Sequence, residues 1–389
     1  MFLMLMVIIC NQVGVLYNTL IIIVFIQGVL KMKGIKTPIL ASVVMVALAH
    51  QSAYAAKKKL TLVASKTSEV VEIDGVDEKA WLASQPISVL LDEMPYEPNN
   101  GYNGIKKTTI EMKALYDDQY LYMQFKWEDP TLSLARFPWE KQDDGTWKVL
   151  KNLDSTLHEN TYYEDKLAIY WNISERGFAK KGCDKSCHMA EKGILEGVQD
   201  TSSGRHYTRA GFVDEWHWKA TRTNVNHQMD DGYLDSEHET NEKWGRHADP
   251  KTGGGYFYNV DRGQAKGKQK PVWMSLRTQQ AASTKPIYHL MDNEKIPFSD
   301  VFNAGDVLPG IVTSPFEGQR ADVVARGEWK DDVWTLEIKR KLITTDSPDR
   351  DVQFVDLGKK YHFGVTAFDN SQIAHIYHNG SIRLVFSQP

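Results

Sequence analysis

Short, strand-like runs recur along this sequence, and they constrain its fold more than any other feature. Residues 108–116 alternate apolar side chains with Glu111 and Lys113, the period of a half-buried strand. Residues 119–127 form a second such run after the turn-favouring pair Asp117-Asp118, so the two runs predict a β-hairpin. Amphipathic helical windows are scarce. The pattern therefore predicts an all-β protein.

Further runs extend this pattern over the rest of the chain. They cover residues 59–64, 69–73, 166–172, 333–342, 361–369 and 382–387. Between the strand-rich parts, the chain is polar and rich in glycine, which predicts a long irregular insertion at about 229–315. We expect one β-sandwich domain over residues 57–389, interrupted by this insertion and carrying a few short helices.

The N-terminus has the composition of a targeting segment. Residues 1–55 contain three lysines and no Asp, Glu or Arg. A short positive region at 32–36, an apolar stretch at 40–49 and the small residues of Ala53-Tyr54-Ala55 follow in the order of a secretory signal peptide. The sequence therefore predicts an exported protein.

We expect the signal peptide to span residues 32–55. The uncharged residues 1–31 are either an extension upstream of the true start or a membrane anchor, and only an anchor would associate the chain with a membrane. We expect the exported protein to reside in the periplasm of a Gram-negative bacterium. The net charge of −4 and the lack of a basic cluster exclude the usual composition of a nucleic-acid-binding protein.

The cysteines carry the most specific chemical signal. Cys10 precedes the predicted signal peptide, so the exported chain keeps Cys183 and Cys187, with His188 directly after them. Covalent attachment of haem uses Cys-x-x-Cys-His, and this chain has one extra residue between the thiols. A disulfide in a small loop and a site for another metal are the alternatives, but the disulfide gives His188 no role and the metal site lacks further ligands.

Two further observations concern a haem pocket. Trp216 and Trp218 would face the same side of a strand, where they form either a core strand or the wall of a haem pocket. A second axial ligand would come from one of several His or Met residues, among them His375 and His378 near the C-terminus.

A set of short motifs resembles the haem-binding subunit of ethylbenzene dehydrogenase and related molybdenum enzymes, over most of residues 60–389. The motifs, in chain order, are Glu72-Ile73-Asp74-Gly75 with Trp81, Ala114-Leu115-Tyr116-Asp117-Asp118 with Tyr120-Leu121-Tyr122, Trp216-His217-Trp218-Lys219-Ala220, Gly327-Glu328-Trp329 with Trp334-Thr335-Leu336-Glu337-Ile338, and Phe363-Gly364-Val365 with Ala367-Phe368-Asp369. The resemblance implies a β-sandwich related to carbohydrate-binding modules and to DOMON-like folds, with haem at one end.

In that family the haem is b-type, with Met and Lys as axial ligands. Here the resemblance implies that His188 replaces the Met as the proximal ligand and His378 replaces the Lys as the distal one, with Cys183 and Cys187 forming thioethers to one haem c. A further non-covalent haem b stays open.

The expected function is single-electron transfer, without catalysis by the chain itself. Its redox partner would be a molybdenum enzyme or a quinol-linked cytochrome. The alternative is a haem-free module that binds carbohydrate on exposed aromatic side chains.

Overall fold

The described part of the chain forms one compact unit. A computed structural model describes residues 59–183, 206–237, 245–347 and 350–387. They belong to a unit that spans Lys57–Pro389. No helix within these ranges is long and apolar enough to cross a membrane. The predicted signal peptide lies outside the described residues.

Strands make up most of the regular structure in these ranges, as the all-β prediction requires. The strands are β1 Thr61–Lys66, β2 Ile87–Leu91, β3 Thr108–Tyr116, β4 Tyr120–Glu128, β5 Trp139–Lys141, β6 Trp147–Val149, β7 Lys166–Asn172, β8 Val213–Lys219, β9 Asp230–Leu234, β10 Arg246–Ala248, β11 Gly253–Tyr258, β12 Trp273–Met274, β13 Leu290–Met291, β14 Ile296–Pro297, β15 Val307–Leu308, β16 Ile311–Glu317, β17 Val323–Lys330, β18 Val333–Lys341, β19 Tyr361–Phe368, β20 Ile376–Tyr377 and β21 Ile382–Phe386. The helices are α1 Phe178–Lys181 and α2 Leu276–Ala281, with 3-10 turns at Lys79–Ala83, Asn224–Asn226, Asp292–Glu294 and Gln319–Ala321.

Most of the long strands join one curled sheet. Its order is β10-β9-β8-β7-β19-β21-β1-β3-β4-β18-β17, with β2 paired to β3 and β20 paired to β19. The edge strand β17 meets the segment that precedes β9, where Met229 N donates to the Val323 carbonyl and Ala325 N donates to the His227 carbonyl, both at 3.0 Å. The sheet therefore curls until its two ends touch.

The two halves of the curled sheet enclose one apolar core. Trp218 of β8 lies 4.9 Å from Trp334 of β18 and 6.2 Å from Trp127 of β4, measured between ring centroids. Burial of such large side chains contributes most to the stability of this core, because truncating a buried Trp to Ala typically lowers the free energy of unfolding by about 3–5 kcal/mol. Alternating apolar residues on facing strands thus produce the sandwich-like arrangement.

The predicted hairpin is confirmed. β3 and β4 pair antiparallel, with Ala114 opposite Met123. Ile110, Met112 and Ala114 are fully buried, whereas Lys113 between them is not. The alternation in the sequence therefore corresponds to the two faces of this strand.

The strand predicted at residues 69–73 is wrong. This segment forms bends, and the side chain of Val70 is 81% exposed. Glu72 N donates to the Glu78 carboxylate at 2.8 Å instead of to a neighbouring strand. A local side chain thus provides the acceptor that a sheet would otherwise supply.

The insertion predicted at about 229–315 is more ordered than expected. Its first part forms β9 and β10, which extend the main sheet beyond β8. The sequence of β9 does not predict a strand because it begins with two aspartates. In the structure, ion pairs with Lys219 and Arg320 neutralise Asp230. The rest contains short strands, with β11, β16 and β13 forming a separate three-stranded sheet.

Candidate functional site

The first residue of the Cys-x-x-x-Cys-His motif lies at the end of α1. Gly182 follows this single helical turn, and Cys183 is buried, with 1% of its surface exposed. Cys187 and His188 lie outside the described residues. The structure thus describes one of the two predicted thioether cysteines.

The thiol of Cys183 packs on strand β19 at Gly364, which has no side chain. A Cβ atom placed on Gly364 would lie 2.4 Å from the Sγ atom of Cys183, closer than real Cβ contacts allow. The glycine at this position in β19 therefore permits the thiol to approach the sheet.

An apolar cluster surrounds this thiol on the outer face of the sheet, opposite the main core. Its members are Ala168, Tyr170, Phe178, Cys183, Val213, Leu234, Phe368 and Tyr377. The cluster is separate from the main core because β7, β8 and β19 send alternate side chains to opposite faces. We call this group the Cys183 cluster.

A contact between two glycines joins this segment to the C-terminal part of the chain. Gly182 and Gly380 form an isolated parallel bridge. A Cβ on Gly182 would lie 2.0 Å from the carbonyl oxygen of Gly380, and Gly182 has a φ of +58°. Only glycine satisfies both the close approach and the positive φ at low cost.

His378 lies two residues before this contact. The Nδ1 atom of His378 lies 3.2 Å from the carbonyl oxygen of Leu90 and donates to it in the tautomer that carries its proton there. Its Nε2 atom lies 3.8 Å from the position of a Cβ on Gly380. The structure therefore joins the residue before Cys183 to the segment that carries His378.

Trp216 and Trp218 occupy the main core rather than the Cys183 cluster. Both indoles are fully buried. The Nε1 of Trp218 donates to Asn224 at 3.0 Å, and the ring of Trp216 lies 5.2 Å from that of Trp171. Their position in β8 turns them away from the face that carries Cys183. Of the two interpretations of this strand, the structure shows the core strand, so the assignment of these residues as a pocket wall next to Cys183 is corrected.

The other face of β8 carries charged and polar residues, for which the sequence analysis predicted no shared site. Glu215, His217 and Lys219 line a cavity of about 150 Å³. The hydroxyl of Tyr170, a member of the Cys183 cluster, donates to Glu215 at 2.9 Å, so cavity and cluster adjoin. The signal was present in the alternation of charged residues with the two tryptophans of β8.

Several charged side chains of this cavity form ion pairs with one another. Burial opposes ionisation of Glu215, but Arg246, at 2.7 Å, holds its pKa well below the usual range. Burial lowers the pKa of Lys219 to about 7, although its ion pair with Asp230 opposes the shift. Burial also lowers the pKa of His217, so a neutral ring accepts from Arg246 at 2.9 Å. The cavity is thus a paired network.

His375 lies between the cavity and the Cys183 cluster. Its ring centroid is 4.8 Å from that of Phe368, which in turn stacks on His217 at 5.6 Å. Burial lowers the pKa of His375 to about 3, and its Nδ1 donates to the carbonyl of Ile373 at 2.7 Å. This histidine is neutral over the physiological range.

The chain has distant similarity to solved structures of carbohydrate-binding modules. No curated protein matches the chain. A family 9 carbohydrate-binding module from Caldicellulosiruptor kristjanssonii in complex with glucose is 11% identical, with a TM-score of 0.30, over 84% of this chain and 97% of that chain. The same type of module from that organism in complex with cellotriose is 11% identical, with a TM-score of 0.31, over 84% of this chain and 95% of that chain. At such TM-scores neither similarity bears on what this chain binds.

The family comparison is more informative because it covers more than half of the sequence. Residues 78–380 match the family described as ethylbenzene dehydrogenase. The match includes Cys183, His378 and the strands of the curled sheet other than β1 and β21. The chain therefore belongs to the ethylbenzene dehydrogenase family.

Proposed function

We propose that this chain is a periplasmic electron-transfer protein with one covalently attached haem c. Cys183 and Cys187 form the thioether bonds, and His188 and His378 are the axial ligands. The observation that supports the proposal is the contact between Gly182 and Gly380, since Gly182 directly precedes Cys183 and Gly380 follows His378 by two residues.

The described residues fit the chemistry of such a group. A porphyrin needs apolar and aromatic surface, and the Cys183 cluster supplies Tyr170, Phe178, Phe368 and Tyr377 around a buried thiol. The hydrogen bond from the Nδ1 of His378 to a backbone carbonyl orients the ring and leaves Nε2 as the nitrogen with the lone pair. The donor set is therefore a thiol and an imidazole beside apolar surface.

The charged cavity is a poorer place for a haem. Its lining consists mainly of ion-paired side chains such as Glu215, Arg246, Lys219 and Asp230. An apolar ring placed there would desolvate these groups without offering them partners. This contrast favours the Cys183 cluster.

The proposed activity requires no acid, base or nucleophile from the chain. A bound haem supplies one-electron redox chemistry, whose potential depends on the axial ligands and on burial. The protein's own residues attach, orient and partly bury the group. The family relates the chain to an oxidoreductase complex. We propose a molybdenum enzyme or a quinol-linked cytochrome as the redox partner.

Haem staining after denaturation tests the covalent bonds. The full-length protein would be produced together with a cytochrome c maturation system and separated on a denaturing gel. The proposal expects a haem-stained band, greatly weakened in Cys183→Ser and Cys187→Ser. A pyridine haemochrome assay would count the haem, with one haem c per chain expected. Complete loss of haem on denaturation of the unaltered protein would refute covalent attachment.

A matched pair of substitutions tests the distal ligand. His378→Asn removes the proposed imidazole ligand, while His227→Asn changes an exposed histidine with a positive φ, a conformation that Asn tolerates. His378→Asn is expected to convert the low-spin spectrum to a high-spin one and to shift the midpoint potential, and His227→Asn is expected to leave both unchanged. Identical low-spin spectra in the two variants would exclude His378 as a ligand.

The carbohydrate-binding alternative depends on exposed Trp and Tyr platforms. Within the described ranges no tryptophan is exposed, and several of them form the main core. Tyr162 and Tyr258 are exposed, at 37% and 46%, so the alternative is left with tyrosine platforms alone. Binding of a soluble polysaccharide by protein without a Soret band would nevertheless favour it.

A further inference from the structure

Three aspartates meet at the end of the sheet formed by β9 and β10. Asp231 lies in β9, Asp249 directly follows β10, and Asp351 lies in the connection between β18 and β19. Their side chains are at least 97% buried, with exposures of 1%, 3% and 1%. One carboxylate oxygen from each residue lies within 4.8 Å of the other two. We call this group the Asp249 cluster.

Backbone hydrogen bonds hold these residues in place. Asp249 N donates to the carbonyl of Asp231 at 3.2 Å, which extends the pairing of the two strands. Asp351 N donates to the carbonyl of Ser347 at 3.0 Å, and the next residue, Val352, donates to the carboxylate of Asp214 at 2.9 Å. The carboxylates therefore converge because the main chain places them there.

Most oxygen atoms of the cluster have no hydrogen-bond donor. Oδ2 of Asp231, both carboxylate oxygens of Asp249 and Oδ1 of Asp351 are buried without a hydrogen bond to any described group. A buried acceptor without a partner costs about 1–3 kcal/mol, and more when it is charged. Such a set of acceptors calls for a ligand that the polypeptide does not provide.

A second buried acidic group in the same protein shows the contrast. Asp129, Asp165 and Asp369 also approach one another, but the two oxygens of Asp165 accept from the backbone of Ser133 and of Asn370. Asp369 likewise accepts from hydroxyl and backbone donors. Those carboxylates are largely satisfied within the fold, whereas those of the Asp249 cluster are not.

The charges around the Asp249 cluster do not balance. Arg340 is fully buried, and its NH2 group lies 2.9 Å from Asp351 and 3.9 Å from Asp214. Its single positive charge faces both of them. Neither Asp231 nor Asp249 has an ion-pair partner among the described residues. If all four carboxylates were ionised, the one guanidinium would leave an excess of negative charge, which a divalent cation would reduce.

We propose that Asp231, Asp249 and Asp351 bind one calcium ion. The available ligand atoms are all carboxylate oxygens, which hard cations prefer, and no His or Cys belongs to the group. Two ligands of one Ca²⁺ at about 2.4 Å lie at most about 4.8 Å apart, a separation that suits these oxygens. Because the ligands come from β9, β10 and the β18–β19 connection, the ion would tie that connection to the edge of the sheet.

Calcium titration of the full-length protein tests this proposal. After removal of metal with EDTA, isothermal calorimetry with CaCl₂ is expected to give a stoichiometry of one, and calcium is expected to raise the unfolding temperature. Asp249→Asn should weaken binding by at least about ten-fold, the lower end of what even supporting residues of metal sites contribute. MgCl₂ is expected to bind more weakly, because Mg²⁺ gives up its water reluctantly.

A variant of the second acidic group provides the control. Asp129→Asn changes an equally buried carboxylate and is expected to retain calcium binding. Absence of calcium binding by the unaltered protein at millimolar concentration would overturn the proposal. It would also be overturned by Asp249→Asn binding calcium as tightly as the unaltered protein, or by Asp129→Asn losing calcium while Asp249→Asn keeps it.

Discussion

Replacing Gly182 by alanine tests whether the contact between the two glycines holds the cysteine motif in place. The new Cβ would lie 2.0 Å from the carbonyl oxygen of Gly380, so one of the two backbones must move. The backbone conformation at a φ of +58° adds a separate cost for any residue with a Cβ.

The two contributions can be separated by a matched glycine. With a φ of +58° and a ψ of −141°, Gly182 lies outside the αL region, in a conformation that costs a residue with a Cβ about 1–3 kcal/mol; overpacking costs about 1–3 kcal/mol, so Gly182→Ala should lower the free energy of unfolding by about 2–6 kcal/mol. Gly145 has a φ of +82°, and no atom lies within 4 Å of the position that a Cβ would take there. Gly145→Ala should therefore show the backbone cost alone.

Urea unfolding followed by far-UV circular dichroism measures both variants. Gly182→Ala is expected to unfold at a lower urea concentration than Gly145→Ala. Its free energy of unfolding is expected to be lower by about the overpacking cost. If the haem proposal is also right, Gly182→Ala alters the Soret spectrum because His378 shifts with Gly380. Equal unfolding midpoints for the two variants would refute the argument that this contact is tightly packed.

Three other predictions concern buried polar groups. Asn224→Ala removes hydrogen bonds to the indole of Trp218 and to both backbone groups of Gly327, so it should lower the free energy of unfolding by about 3 kcal/mol in urea titrations. The carboxylate of Glu337 accepts hydrogen bonds from four donors, and Glu337→Gln puts an amide donor in their midst. This variant should lower the free energy of unfolding by about 2 kcal/mol in the same urea titrations. An unchanged midpoint would contradict that network. Because the pKa of His375 is about 3 when folded and about 6.5 when unfolded, the unfolded state binds more protons between these values, and stability should fall on acidification by about 1.4 kcal/mol per pH unit. His375→Gln should flatten that dependence, and an unchanged slope would show that this histidine titrates normally.

The strands were predictable where one face is apolar and the other is polar. β3 and β4 followed from simple alternation, and β7 matched residues 166–172 at both ends. β9 was missed because its carboxylates resemble a loop until Lys219 and Arg320 are known to lie beside Asp230. Pairing across the sheet, which a single sequence does not display, decides such strands.

The site was predictable in part. The family resemblance pointed to His378 as a counterpart of the cysteine motif, and the structure brings Gly380, two residues after His378, against Gly182, which precedes Cys183. The packing of Gly182 on Gly380 could not be foreseen, because glycines far apart in the chain carry no sign of their contact. The Asp249 cluster was hidden for the same reason, since Asp231 and Asp351 lie on distant segments.

Strand β8 has a consequence for how the sheet can assemble. It pairs with β7 on one side and β9 on the other, with Trp216 opposite Ile169 and Asp231. A shift of one residue would turn Glu215 and Lys219 into the apolar interior and both indoles outward. Such a slipped pairing would bury several charges at once, so misaligned forms of this strand carry a heavy penalty. The sequence of β8 thereby specifies one register for its pairing with β7 and with β9.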